Sequence, residues 1–467
     1  MKAKWGRYFL LVTAVIAAYL NSFWGAFQFD DYNVIVDNPE IHSLTAWFSG
    51  LPQGIRPLLK LTYLLNWTCG EGLFGFHLFN VSVHAVNAVL IYRLSQRFFG
   101  HCLSNRQDVE HAALLTALLF ALHPVQTEAV TYISGRSMSL MAMFYLGSML
   151  AYAQGVDEGR TSLQYVLSPL LFAAAVAVRE TAVTLPFAIV LWEAGRGQPT
   201  GLRVLVQRKL VHWGMLAGFL LLLIVHPTYS DLLDFSLQTR SLGINLLSQV
   251  NGVFYLLSRF IFLHRLSIDP GLPLLSAWDL PLVAECAVLL TLLITGFAAL
   301  RNRPWLGFGL LWFFLHLMPT NSIIPRLDIA NERHLYLAGW GIELALSGEF
   351  MRLRAIGTLN TRKIRAAAAL ALVVVMVFTV MRNHTYRSEV SLWEDTVEKS
   401  PMNARAHNNL GFAYADTGRF REALAEYRAA LCLRPGYETA KENLDALRSS
   451  MADERGLPGG ERLSRER

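Results

Sequence analysis

The sequence predicts an all-α fold: a polytopic helical membrane domain followed by a small helical domain at the C-terminal end. Three observations predict it. Hydrophobic residues make up 53% of the 467 residues and charged residues only 16%, against about 25% charge in an average soluble domain. The apolar residues gather into runs long enough to cross a bilayer, and the mean hydropathy is +0.35. The last stretch of the chain is different. It is polar, alanine-rich, and patterned as a helical hairpin of small and large packing positions.

The first expected span runs over residues 7–27. Lys2, Lys4 and Arg7 precede or open it, and no small-residue cleavage site comes before Asp30. It therefore reads as a retained anchor rather than a cleaved signal. Further spans are expected near 76–98, 108–123, 137–154, 163–178, 180–195, 210–226, 281–300, 304–320, 334–350 and 366–381. Region 243–264 is apolar but interrupted by Asn245, Gln249, Asn251, Ser258 and Arg259.

Positive charge arbitrates between the two span counts. Lys2, Lys4 and Arg7 place the N-terminus in the cytoplasm. Arg93, Arg97 and Arg106 mark the next inside loop, and Arg196, Arg203, Arg208 and Lys209 another. If 243–264 does not cross, Arg301 and Arg303, then Arg352, Arg354, Arg362, Lys363 and Arg365, also fall inside. If it crosses, they fall outside. A re-entrant or interfacial segment is preferred, within an outside loop from about Pro227 to Leu280; the other count stays open. On the preferred topology Asp30, Asp31, Arg56, residues 123–136, Arg179-Glu180 and residues 331–334 share one membrane face with the C-terminal domain.

The membrane domain is assigned to 1–381 and the C-terminal domain to 382–450. Aligning Pro435 with the closing proline of a tetratricopeptide repeat puts Leu410, Gly411, Tyr414, Ala423, Tyr427 and Ala430 on its packing positions, with Gly418 in the turn. His407 stands where tryptophan is common. The full repeat covers 404–437. Trp393 and Pro401 fit a preceding half-repeat, and 438–450 a capping helix. One repeat is too few for independent stability, so it is expected to dock on the membrane domain or on a partner. Residues 451–467 read as a disordered polar tail.

The formal charge of +6 comes from basic loops between spans and gives no reason to expect nucleic acid. Cys69, Cys102, Cys286 and Cys432 have no metal or redox spacing and read as free thiols. No Gly-rich phosphate loop, Ser/His/Asp array or HExxH motif is present.

The informative polar residues lie at span ends. Asp30 and Asp31 are adjacent at a membrane boundary, where carboxylates are costly unless they face water or a cavity. Their repulsion tends to raise the pKa of one, which suits a general base or a metal ligand; a solvated helix end is the plain alternative. Glu128 can orient a ligand or the base, and Arg136 can bind phosphate; the alternative is an ion pair between the two. Arg179-Glu180 joins two apolar runs with almost no loop, which is expensive unless it faces a cavity. Arg333 and His334 can clamp a phosphate or pyrophosphate, or Arg333 can be an interfacial anchor. His77 and His84 read as packed polar residues.

Asp30-Asp31, Arg56-Pro57-Leu58, Gly75-Phe76-His77 with Asn80 and His84, His123-Pro124 with Thr127-Glu128-Ala129, Gly135-Arg136, Arg179-Glu180, and Asn331-Glu332-Arg333 with Leu335-Tyr336-Leu337 recur in that order before the repeat. In this the chain resembles, over nearly its whole length, the transmembrane-and-tetratricopeptide-repeat O-mannosyltransferases and their bacterial relatives. The resemblance implies the GT-C glycosyltransferase fold. It implies transfer, with inversion, of mannose from a polyprenyl-phosphate carrier to serine or threonine hydroxyls of exported proteins. Carried onto this chain, it makes Asp30 or Asp31 the base and Glu128 a second acid. Arg136 and Arg333 become contacts for the donor phosphate, with Arg56, Arg179 and His123 as further candidates.

The repeat array is far shorter than in animal members, and Arg179 stands where lysine is frequent. The short array and compact loops fit a bacterial inner-membrane protein with its catalytic loops and repeat in the periplasm. The expected partners are the lipid-linked donor and an exported protein, held in part by the repeat. No cofactor is implied with certainty, and a divalent metal stays open. The competing readings are a non-catalytic scaffold for envelope assembly and transfer to a lipid or cell-wall glycan. A transporter would be expected to show inverted repeats or mid-membrane charge.

Overall fold

The computed structural model describes residues 2–70, 72–197, 209–357 and 361–453, and the regular structure among them is helical. Arg203 and Arg208 of the expected inside loop, and most of the expected disordered tail, lie outside the described residues. All eleven expected spans coincide with helices. They begin with α1 (Lys2–Tyr19), extended by a 3-10 turn to Trp24. The short helices α2 (Leu44–Gly50) and α3 (Pro57–Cys69) then lead into α4 (Gly72–Cys102) and α5 (Arg106–Leu122). After the single turn α6 (Thr127–Val130) come α7 (Arg136–Glu158), α8 (Ser168–Val178) and α9 (Leu185–Gly195). Next are α10 (Leu210–Val225), α11 (Pro227–Thr239), α12 (Leu242–Ser258), α13 (Leu280–Asn302), α14 (Pro304–Leu317), α15 (Leu335–Ala355) and α16 (Thr361–Thr385).

By length and apolarity, four helical stretches among the described residues can each cross a bilayer: Trp5–Trp24, Gly72–Cys102, Leu280–Asn302 and Arg365–Thr385. Two more crossings arise if each bent pair counts as one. The bends have a common cause. Pro124 bends the end of α5 by 52°, and Pro227 bends the end of α10 by 76°. A proline offers no N–H and clashes with the preceding turn, and it drives the residue before it into extended backbone. His123 and His226 both adopt that conformation, with ψ of 129° and 122°. Each bend turns the chain sideways where polar residues begin.

The core is aromatic where α4, α9, α14 and α15 meet. Trp312 and Trp340 pack edge to face at 4.6 Å, and Phe308 lies 4.7 Å from Phe98. Both indole N–H groups are satisfied, by Leu337 O at 2.8 Å and Ser95 Oγ at 3.0 Å, as buried indoles require. The outer faces of α1, α10, α13 and α16 leave Phe9, Leu221, Ile294 and Leu370 exposed. On helices of this apolarity, such a belt suits lipid contact.

The ambiguous segment 243–264 forms α12 and a following turn. Its polar residues point inward: Asn245 Nδ2 donates to Ser322 O at 2.7 Å, and Gln249 accepts from Asn321 at 2.9 Å. Arg240 before α12 and Asp269 after it line the same cleft. The segment thus leaves and returns on one side of the molecule.

The C-terminal helices are α17 (Glu389–Lys399), α18 (Ala404–Asp416), α19 (Phe420–Leu433) and α20 (Glu438–Asp453). Gly411 allows α18 and α19 to touch, because a Cβ there would sit 2.8 Å from the Tyr427 ring. The junction differs from the expected boundary at 382. Helix α16 runs on to Thr385, since Asn383 is buried and donates to Ala18 O at 2.8 Å, while Arg382 pairs with Asp395 at 2.7 Å.

The C-terminal helices dock on the membrane domain. The Phe29 and Trp393 rings meet at 5.3 Å, and Lys399 donates to Leu266 O at 2.8 Å. Arg405 pairs with Asp269 at 2.7 Å and Asp328 at 2.6 Å. Burial raises the Asp328 pKa, but the Arg405 guanidinium outweighs it and holds the carboxyl below its usual range.

Candidate active site

Between α11, the segment after the first span and the starts of α3 and α7 there is a cavity of about 320 Å³. Asp30, Arg56, Arg179, Arg326, Asp328, Arg333 and His334 line it, and α11 contributes Leu232, Phe235, Ser236 and Thr239. Residues separated by up to three hundred positions converge here. Four of the six arginine and aspartate positions that frame it, Asp30, Arg56, Arg179 and Arg333, are candidates from the sequence. Arg326 and its neighbour Asp328 are not. The available signal was charge in Ile324-Pro325-Arg326-Leu327-Asp328, a short stretch between apolar runs and just before the 331–334 motif.

The two adjacent aspartates part company. Asp31 is fully buried. Its Oδ2 accepts the Gln28 N–H at 3.0 Å, and its Oδ1 accepts the Ser134 N–H at 2.7 Å. Burial pushes its pKa up to about 7, against the pull of those two amides. It ties the end of the first span to the loop before α7. Asp30 points the other way, with its side chain 30% exposed to the cavity and Oδ2 lying 3.8 Å from Arg333 Nη1. Its own N–H is held by Tyr132 Oη at 2.9 Å.

The backbone that turns Asp30 outward is strained. Phe29 has φ of 47° and Arg56 φ of 55°, a region that bulky residues rarely adopt. Arg56 is also followed by Pro57, which disfavours helical backbone at the preceding residue. Strain of this kind persists only where surrounding contacts over-determine it. For Phe29 those contacts are the Trp393 ring and the Glu389 carboxylate, which accepts its N–H at 2.8 Å. For Arg56 the contact is Glu180, gripped in two-pronged geometry at 3.0 and 2.6 Å.

The arginines are held from behind and open in front. Glu180 pairs with Arg56 and lies 3.9 Å from Arg326. Arg179 donates to Ser137 Oγ at 2.8 Å, while its buried Nε makes no hydrogen bond among the described residues. The tight Arg179-Glu180 junction therefore sends its two charges to different partners. Glu128 does not pair with Arg136. It accepts the Arg333 backbone N–H at 2.9 Å and faces Arg333 Nε at 3.6 Å, so it positions Arg333 from outside the cavity lining.

Arg136 and His123 lie elsewhere. Arg136 is fully buried; it donates to Asn80 Oδ1 at 2.7 Å, Thr62 O at 3.2 Å and Phe76 O at 3.2 Å. Its guanidinium sits 4.6 Å from the Tyr63 ring and 4.3 Å from that of Phe79. Gly135 before it permits close approach, since a Cβ there would lie 2.0 Å from Glu128 O. His123 caps the turn after α5, accepting the Val125 N–H at 3.2 Å, and packs on Phe260. His84 bonds Tyr336 Oη at 2.8 Å and Ala121 O at 3.2 Å.

Among the described residues no group of three or more His, Cys, Asp or Glu side chains converges as a metal site. The cavity nevertheless combines two things: a strip of guanidinium groups suited to phosphate oxygens, and a carboxylate exposed at its edge, able to take a proton.

No family model matches the chain. It is similar to protein O-mannosyl-transferases. It is 24% identical over 453 residues to Protein O-mannosyl-transferase F38B6.6 of Caenorhabditis elegans, covering 92% of this chain and 63% of that one. It is 27% identical over 516 residues to Protein O-mannosyl-transferase TMTC1 of Homo sapiens, covering 95% and 57%. It is 28% identical over 482 residues to Protein O-mannosyl-transferase TMTC4 of Mus musculus, covering 88% and 64%. The chain spans less than two thirds of each of these relatives.

Proposed function

We propose that this chain is a membrane glycosyltransferase that moves mannose from a polyprenyl-phosphate carrier to a serine or threonine hydroxyl of an exported protein. The observation that carries this reading is one cavity holding Asp30 beside Arg56, Arg179, Arg326 and Arg333. The names of the relatives, protein O-mannosyl-transferases, supply the sugar and the acceptor class. The membrane domain is taken to be of GT-C type, and the C-terminal hairpin to be a tetratricopeptide repeat.

In the proposed reaction Asp30 accepts the proton of the acceptor hydroxyl as its oxygen attacks the anomeric carbon. The bond from that carbon to the carrier phosphate breaks on the opposite face, which inverts the configuration. The leaving phosphate gains charge, and the arginines compensate it in place, without solvent reorganisation. Glu128 and Glu180 hold Arg333 and Arg56 in position from behind. Asp31 and Arg136 build the wall around the site rather than touching substrate. On the preferred topology the cavity and the C-terminal helices open to the periplasm of a bacterial inner membrane, and α12 is re-entrant. Both flanks of α12 lining one cleft supports that count.

The test is direct. Purified full-length protein is incubated with radiolabelled polyprenyl-phosphate mannose and envelope extract. Label in protein, released by treatment that cleaves O-linked sugars, is the expected outcome. Label in lipid or glycan alone would overturn the acceptor class, and no transfer to any fraction would overturn the reaction. Cysteine labelling in intact cells tests the topology: a cysteine at Asp416 should react from outside, and labelling only after the membrane is opened would reverse it.

A further inference from the structure

A second cavity, of about 380 Å³, lies between the docked C-terminal helices and the outer loops of the membrane domain. It shares Thr239, Leu327 and Asp328 with the arginine cavity, so the two adjoin. One wall belongs to the soluble helices through Asn403 and Arg405; the opposite wall carries Arg240 and Asp269.

The charges in this cleft are not equally occupied. Arg405 is consumed by Asp269 and Asp328, at 2.7 and 2.6 Å. Arg240 is only 8% exposed, yet its Nε and Nη2 make no hydrogen bond among the described residues. The carboxylate that acts on it electrostatically, Asp328, is already hydrogen-bonded by Arg405. A buried guanidinium with open donors carries a desolvation cost that an anionic ligand would relieve.

We propose that this cleft holds the acceptor polypeptide and that Arg240 binds a carboxylate side chain of that polypeptide near the acceptor hydroxyl. The proposal rests on the transferase reading, and it places acceptor selection at the junction of the two domains rather than inside the repeat. Three features favour a polypeptide over the donor phosphate. The donor has its own cavity with four arginines. One wall of the cleft is a soluble helical face. Its rim carries exposed apolar side chains, Met402, Leu274 and Leu327, which fit peptide side chains flanking an acidic residue.

The experiment uses full-length protein in detergent, polyprenyl-phosphate mannose, and synthetic peptides with one serine. Glu or Gln is scanned along both sides of that serine. Wild type should favour the best Glu peptide over its Gln counterpart by about tenfold in kcat/KM, the value of one charge-assisted hydrogen bond. In Arg240→Gln, with its thermal midpoint checked, the ratio should fall to about one, and Arg240→Lys should restore part of it. A ratio near one in wild type, or an unchanged ratio in Arg240→Gln, overturns the proposal. So does a raised donor KM in Arg240→Gln with peptide selectivity intact. Binding of the fluorescent Glu peptide, followed by anisotropy without donor, separates this idea from the reaction. If wild type transfers no sugar but binds the peptide, and Arg240→Gln loses it, the cleft stands and the transferase reading falls. If wild type does not bind the peptide, the cleft assignment falls.

Discussion

Arginine builds two neighbouring regions of this protein in opposite ways. Around Arg136 every branch of the guanidinium meets a protein acceptor, and aromatic rings cover its faces. A few residues away in space, Arg56, Arg179, Arg326 and Arg333 line a cavity, each with a polar partner: Glu180 for Arg56 and Arg326, Ser137 for Arg179, and Glu128 for Arg333. The same contrast separates Asp31, closed by two amides, from Asp30, open beside Arg333. A charge whose hydrogen bonds are complete holds the fold; a charge left incomplete beside empty space is available to a ligand.

The largest effect that can break this contrast is at Asp30. Asp30→Asn should lower kcat for sugar transfer by about 10²–10⁴, the usual worth of a general base, with the thermal midpoint in detergent close to wild type. Transfer at the normal rate would remove Asp30 from the chemistry. Arg136→Met should do the reverse. It leaves Asn80, Thr62 and Phe76 acceptors unpaired and should cost about 3 kcal/mol or more of stability, seen as a clear fall in thermal midpoint. A stable Arg136→Met protein that fails only in donor binding would move Arg136 from the wall into the site.

Arg333→Lys sharpens the comparison at intermediate size. It keeps the charge but loses the planar fork, and should cost about 1.5–3 kcal/mol. If Arg333 grips the carrier phosphate before reaction, the donor KM rises; if it serves the leaving phosphate, kcat falls. Neither parameter changing would leave Arg333 as an anchor. The smallest effect concerns Asp31. Its pKa in the fold is raised to about 7 by burial, from about 4 in the unfolded chain. The fold therefore favours the protonated form. That contribution is complete below about pH 4 and is lost as pH rises toward 7. The thermal midpoint should fall across this window in wild type, and the slope should become shallower in Asp31→Asn, the remainder belonging to buried Glu128, which burial also raises to about 7. An identical slope in both would show that Asp31 is not the group titrating.

The helices were readable because hydropathy and proline act locally. The bends at Pro124 and Pro227 follow from ring geometry alone. The site was readable only as a set of polar residues at span ends. Asp30 and Asp31 have the same local address. The Phe29 backbone and the Ser134 amide, about a hundred residues downstream, decide which of them faces the cavity. Arg136 stands in a conspicuous motif, yet Asn80, Thr62 and Phe76 from other helices enclose it. Arg326 passed unnoticed because a single arginine in a loop carries no pattern.

The sequence by itself determined an all-α chain with apolar helices fit for a membrane, the order of those helices, and a set of polar residues at their ends. Those properties depend on neighbours within a few turns. Tertiary structure decided which charges are spent and which are open. It also decided that the C-terminal helices close a second cavity beside the first. The protonation and hydrogen bonding of a buried group depend on side chains brought from distant segments, and no local pattern encodes that proximity.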